Sequence, residues 1–303
     1  MVPLPDALVR MMTAMHGDAG TAWLAGLPTL LDACARRWSL ALGPPYPAAF
    51  NYVAPATRAD GTLVVLKVGM PDREARAGLD ALRLYDGQGM ARLLEADEER
   101  GAHLLERLVP GTPLATLADD AAATSSAAAL MRQLRRPPPA GHRYPTVADW
   151  GRGFARLRQR YGGGTGPLPA ALVEQAERLY ADLAATMAAP VVLHGDLHHD
   201  NIVAATRAPW LAIDPKGVVG EPAYETGALL RNPMPHLLAM PEPARLTRRR
   251  VDQLAAELSL DRARVRGWGL AQAVLSAWWS IEDAGAGWEF AIAVAELLAA
   301  VPA

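Results

Sequence analysis

Apolar positions change their spacing along this chain, and the change divides it near residue 109. Residues 3–31 carry apolar positions at helical spacing and predict one or two helices, broken near Gly17–Gly20. Trp38–Leu42 alternates as a short strand does, and Gly43-Pro44-Pro45 stops it. Two β-rich runs, Phe50–Val53 and Thr62–Val68, flank Ala59-Asp60-Gly61. An Asp-Gly pair between such runs predicts a hairpin, because glycine accepts positive φ without steric cost. From Asp72 to Asp86 the residues Ala75, Leu79 and Leu82 share one helical face, and Gly87 ends it. Ala91–Leu94 and His103–Leu108 then predict a second hairpin around the charged turn 97–101.

Pro110-Gly111-Thr112-Pro113 breaks the chain, and beyond it the pattern is almost wholly helical. Helices are expected over 118–135, 147–160, 170–188, 224–230, 244–258, 262–281 and 288–298, with Pro137–Pro139 and Gly162–Gly164 as loops. The reading is an α+β protein: residues 1–109 form a lobe of antiparallel sheet plus one helix, and residues 110–303 form a larger helical lobe. A cleft between two such lobes is where a ligand is expected to bind.

Composition narrows the classes. Of 303 residues 51% are apolar, enough for a sizeable core. Thirty basic residues against 32 acidic leave almost no net charge, which argues against nucleic acid as partner. Arg248-Arg249-Arg250 is the one compact basic cluster and reads as a solvated helix face. The single cysteine, Cys34, permits no intrachain disulfide and no four-cysteine zinc site. No apolar run approaches the ~20 residues that span a bilayer, and the N-terminus does not read as a signal peptide. A cytoplasmic protein, monomer or dimer, without a membrane partner is the expectation.

The chemistry is concentrated between Pro190 and Leu230. Residues 191–203 read V-V-L-H-G-D-L-H-H-D-N-I-V: an apolar run delivers a tight polar turn, and a second apolar run leaves it. A second delivery follows at Trp210–Pro215, ending in Asp214. Phosphoryl transfer needs a carboxylate to receive the proton of the attacking hydroxyl, and oxygen ligands to hold Mg²⁺ on a triphosphate. Asp196 supplies the first; Asn201 and Asp214 supply the second. Lys67 lies within the strand Thr62–Val68 and calls for an anionic partner or an exit to solvent.

The string His194–Asn201 closely resembles the catalytic loop of aminoglycoside phosphotransferases, H-G-D-x-x-x-x-N. Ile213-Asp214-Pro215 resembles the same family's metal-binding segment. The longer string from Trp210 to Pro222 is similar to the streptomycin 6-kinase and hydroxyurea phosphotransferase branch. The resemblance extends over about residues 40–285 and implies a protein-kinase-like bilobal fold. It implies Asp196 as catalytic base, Asn201 and Asp214 as Mg²⁺ ligands, and Lys67 as the lysine on the phosphates of ATP or GTP. It also implies a carboxylate partner for Lys67 on the following helix: Glu74, with Asp72 and Asp80 as alternatives. Glu106 to Leu108 would form the hinge that meets the purine through its backbone. The chain departs from the protein-kinase pattern in having no G-x-G-x-x-G loop, so residues 49–52 and 59–61 must cover the phosphates.

A cationic acceptor calls for carboxylates near its hydroxyl. Asp200, Glu221, Glu225, Glu282 and Asp283 are available, Glu225 and Glu282 foremost, with His198 near the substrate. A streptomycin-like aminoglycoside is the leading acceptor; a sugar, choline or hydroxyurea-like acceptor is the alternative within kinases. Outside them stand a non-catalytic nucleotide-binding regulator and a zinc hydrolase using His194, His198 and His199. Lys216 reads equally as a phosphate contact or as a loop-fixing residue.

Overall fold

In the computed structural model, which describes residues 4–302, a long helix lies across a five-stranded sheet, and a helical body packs below. Helix α1 (Asp6–Arg37) changes direction at Gly17, where φ is 54° and ψ −128°, and runs past the expected end at Leu31. Strands β1 (Leu40–Leu42), β2 (Tyr52–Arg58) and β3 (Leu63–Val68) follow, then helix α2 (Arg73–Tyr85) and the hairpin β4 (Leu93–Asp97) and β5 (Ala102–Glu106). All pairings are antiparallel in the order β1-β2-β3-β5-β4. Asp72 starts α2 by accepting a hydrogen bond from the Ala75 N–H at 2.7 Å.

Period-two alternation sorts β3 into two faces. Val64, Leu66 and Val68 are buried with Tyr52, Ala54, Ala56, Ala102 and Leu104 against Leu8, Leu24, Leu27 and Leu31 of α1. Lys67, one residue out of phase, is delivered to the opposite face. Helix α2 is split from the sheet beside it in sequence: Ala77, Ala81, Leu82 and Tyr85 belong to the core of the helical body.

The body is less purely helical than its sequence pattern predicts. Strand β6 (Pro110–Pro113) pairs with β8 (Ile202–Ala205), which pairs with β9 (Ala208–Ala212). Strand β7 (Val191–Leu193) pairs with β10 (Val218–Gly220). Ladders of three to five residues are too short to show a period, so their existence depends on partners distant in sequence. Around them stand α3 (Asp120–Leu134), α4 (Val147–Arg160), α5 (Ala170–Ala185), α6 (Pro222–Leu230), α7 (Pro243–Leu258), α8 (Arg262–Ala284) and α9 (Glu289–Ala300). Helix α8 runs through the middle against α5, α6 and α9. Trp268 on α8 meets Tyr180 and Tyr224 edge-on, each at a 4.9 Å centroid separation. No helix among the described residues is long and apolar enough to cross a membrane.

Candidate active site

The β7–β10 ladder holds the two polar segments side by side. Val192 faces Val219 in register, so the turn that leaves β7 and the segment that enters β10 start from one place. The chain turns at Gly195, whose φ of +86° is open to glycine and strained for any other residue. Backbone N–H groups of Lys216 and Gly217 donate to the His194 carbonyl at 2.8 and 3.2 Å. The His194 imidazole completes the strap. Nε2 donates to the Ile213 carbonyl at 2.9 Å, and Nδ1 accepts from the Asp196 N–H at 3.2 Å. A carbonyl only accepts, and that assigns the tautomer. Burial lowers this histidine to about 4, so it stays neutral and keeps both bonds.

Glu225, on α6, lies under the turn. Its carboxylate accepts the N–H groups of His194 at 2.6 Å and Gly195 at 3.0 Å. Burial pushes its pKa up to about 7, and those N–H groups oppose the rise. Asn201 closes the loop by donating Nδ2 to the Asp196 carbonyl at 2.9 Å, while its own carbonyl accepts the Ile213 N–H at 2.9 Å. Among the described residues the amide oxygen of Asn201 has no hydrogen-bond partner.

Asp214 adopts a left-handed φ of 60°, which aspartate tolerates better than most residues, and its carboxylate pairs with the Lys67 ammonium across 147 positions of sequence. Burial would raise Asp214, yet the charges of Lys67 and then Lys216 hold it well below the usual carboxylate range. The same acid is drawn into the site twice, once by the strand lysine and once by its neighbour in sequence.

The expected Lys67–Glu74 pair is not formed. Glu74 binds Lys216 instead, at 2.8 Å. The reason is how α2 docks. A Cβ on Gly78 would lie 2.5 Å from the Pro215 carbonyl oxygen, and one on Gly217 would lie 2.5 Å from that of Ala77. Helix α2 therefore rests backbone to backbone on the 214–217 segment. That brings its first turn over Lys216 and leaves Lys67 to Asp214.

Three of the expected acceptor carboxylates are committed elsewhere. Glu221 is buried and binds Arg264 at 2.7–3.0 Å and the Trp268 indole N–H, tying α6 to α8. Glu225 is the clamp just described. Glu282 forms a two-pronged pair with Arg156 at 2.6 and 2.9 Å. Asp283 is partly buried beside Glu282, Glu74 and Lys216; burial first, then those two acids, raise its pKa. Asp200 is exposed, and its N–H donates to His198 Nδ1 at 3.3 Å. His198 Nε2 stands 3.7 Å from Asp196 Oδ2. The histidines do not converge as a zinc site would require: His199 turns inward to Arg250 at 3.4 Å and His194 to Ile213. At the end of β5, Glu106 commits its carboxylate to Arg207 at 2.8 Å through both oxygens, and Leu108 lies on the connection to β6.

One contact escaped the sequence reading. Arg231, the residue that ends α6, donates Nη2 to Asp196 Oδ1 at 3.1 Å. A charge after the apolar run Ala228-Leu229-Leu230 hints at a helix end, and nothing local tells that it faces Asp196.

A small sheet above a helical body, with an acid-bearing turn and a second acid strapped beneath a strand lysine, defines a kinase of the protein-kinase-like class acting on small molecules. Comparison with known proteins agrees. A model of the aminoglycoside/hydroxyurea antibiotic resistance kinases matches residues 43–284. Streptomycin 6-kinase of Streptomyces griseus is 37% identical over 293 residues, covering 93% of this chain and 92% of that protein. Hydroxyurea phosphotransferase of Kitasatospora aureofaciens is 35% identical over 308 residues, covering 98% and 86%. Among solved structures, aminoglycoside phosphotransferase APH(4)-Ia superposes with a TM-score of 0.64 at 14% identity, over 91% of this chain and 98% of that one. The chain belongs to the aminoglycoside/hydroxyurea antibiotic resistance kinase family, and as an enzyme it is an O-phosphotransferase.

Proposed function

We propose that the protein transfers the γ-phosphoryl group of ATP or GTP to a hydroxyl of a streptomycin-like aminoglycoside in the cytoplasm. The observation that carries the reading is the strapping of the Asp196 turn to the Asp214 segment through His194, directly beneath Lys67. The donor set fits a magnesium ion: Asp214 is held ionised by the charges of Lys67 and Lys216, of which only Lys67 pairs with it directly, and the Asn201 amide oxygen is left over. Asp214 and Asn201 would hold Mg²⁺, which neutralises charge on the triphosphate when bound.

The remaining chemistry belongs to the chain. Incoming phosphates compete with Asp214 for the Lys67 ammonium and draw it onto the nucleotide. The backbone of Glu106–Leu108, where the chain leaves β5 for β6, meets the purine. Asp196 orients the acceptor hydroxyl for in-line attack and takes its proton. Positioning and charge neutralisation supply most of the rate, because the transition state is loose. Asp283, Asp200 and His198 remain as the polar groups that meet a cationic acceptor.

Two of the relatives act, by their names, on different acceptors, so a hydroxyurea-like acceptor is the second reading. The test is a screen of nucleotide consumption with ATP and with GTP against aminoglycosides, hydroxyurea, choline and sugars. Turnover with streptomycin that disappears in Asp196→Ala, while nucleotide still binds, is the expected result. Turnover only with a neutral acceptor would overturn the aminoglycoside assignment, and an active Asp196→Ala would overturn the base.

A further inference from the structure

We infer that Arg231 is the positioning residue of the catalytic base: it takes Oδ1 of Asp196 and leaves Oδ2 to receive the acceptor's proton. The inference rests on the reading of Asp196 as base. Arg231 is 7% exposed, and its guanidinium is shared between two partners. Nη2 reaches Asp196 Oδ1 at 3.1 Å, and Nη1 reaches Gln272 Oε1 at 3.2 Å. Gln272 is itself buried on α8, and its Nε2 donates to the Tyr224 carbonyl, which sets its amide with the oxygen toward Arg231. Space for that amide comes from Gly227, where a Cβ would lie 2.5 Å from the Gln272 Cδ. A helix end, a glutamine and a missing side chain thus converge on one oxygen of one carboxylate.

A guanidinium is costly to bury without a carboxylate, so this pair differs in kind from the exposed ion pairs of the surface. Its effect on Asp196 is geometric. The loop fixes the backbone on either side of the acid, through His194 below and Asn201 above, but among the described residues only Arg231 hydrogen-bonds the carboxylate itself. His198 Nε2 stands 3.7 Å from Oδ2, beyond a firm hydrogen bond. With Oδ1 on Arg231, rotation about the last side-chain bond is arrested and Oδ2 is presented to the cleft. In the transfer, the acceptor oxygen forms its bond to the γ-phosphorus while the bond from that phosphorus to the nucleoside diphosphate breaks. The acceptor proton passes to Oδ2, and no electron changes owner. A base held in one orientation serves a loose transition state better than a strongly basic one.

The test uses the full chain with three substitutions: Arg231→Ala, Arg231→Lys and Gln272→Leu. Phosphorylation of an acceptor and acceptor-free nucleotide hydrolysis are both followed, because Asp196 orients water as it orients a hydroxyl. Arg231→Ala is expected to lower kcat about 100-fold, the scale of a small misplacement at a reacting centre, with the nucleotide KM within about twofold of wild type. Millimolar guanidinium should restore part of the Arg231→Ala rate and none of the Asp196→Ala rate. Arg231→Lys should fall between, and Gln272→Leu should lose roughly tenfold in kcat by freeing one end of the guanidinium. Where Arg231→Ala does not fold, Arg231→Lys and Gln272→Leu decide by the same split between kcat and KM. A kcat within about twofold of wild type overturns the inference, as does a loss that follows melting temperature and nucleotide affinity without guanidinium rescue. A wild type that neither transfers nor hydrolyses overturns the kinase reading as well, and so separates the two failures.

Discussion

Asp214 and Glu225 are carboxylates whose surroundings drive their acidity in opposite directions. Two lysines keep Asp214 ionised against the cost of burial; Glu225 meets only backbone N–H groups and rises to about 7. Asp214→Asn keeps the shape and removes the charge. The expected outcome is a folded protein with kcat lowered about 10²–10³-fold, the scale of losing a preorganised charge contact, read by steady-state transfer. For Glu225 the folded value lies above the ordinary glutamate value of 4.5, so between pH 4.5 and about 7 the folded state binds more protons than the unfolded state. Its contribution to stability is therefore fullest below that window and falls as pH rises through it. Glu225→Gln should remove this slope, which subtracting the two melting-temperature profiles over that pH range would reveal; an identical slope in both proteins would contradict the assignment.

Helix α2 shows how an element can belong to one half of the chain and pack with the other. Its buried face joins the core of the helical body, and its backbone touches Pro215 and Gly217. Gly78→Val would drive a branched side chain into the Pro215 carbonyl. A loss of about 1–3 kcal/mol is expected from such overpacking, seen as a lower denaturation midpoint, together with a higher nucleotide KM because the shift parts Asp214 from Lys67. Gly26→Ala is the control: a Cβ there meets nothing within 4 Å, so the midpoint should hold or rise slightly. The extents of α2, α4 and α7 were legible in the sequence: the expected ranges 72–86, 147–160 and 244–258 fall within a residue of Arg73–Tyr85, Val147–Arg160 and Pro243–Leu258 at either end. The β7–β10 and β6–β8–β9 ladders were not, because each strand has three to five residues and gains its meaning only beside a distant partner.

At the scale of the whole molecule, the sheet is joined to the helical body in the site by the Lys67–Asp214 pair, and α2 is held to the same segment by the Glu74–Lys216 pair. A magnesium-nucleotide that replaces the first of these pairs binds the folded chain alone. Saturation at 100 times its Kd should add about 2.7 kcal/mol and raise the melting temperature by a few degrees. The same titration on Lys67→Ala should give a visibly smaller rise at equal nucleotide concentration. An equal rise in both proteins would place the nucleotide away from Lys67.

Local information reached as far as local forces do. Turn chemistry and strand alternation act within a few residues, and from them the sheet and most helices could be read; Asp196, Asn201 and Asp214 were picked out by the polar turns they occupy and by the family resemblance of those turns. Partner choice could not be read that way. Lys67 found Asp214 rather than Glu74, and Glu221 and Glu225 turned inward. Arg231 met Asp196 as well. Each of these contacts is decided by how close whole elements approach, and that distance is a property of the packed core rather than of any stretch of chain.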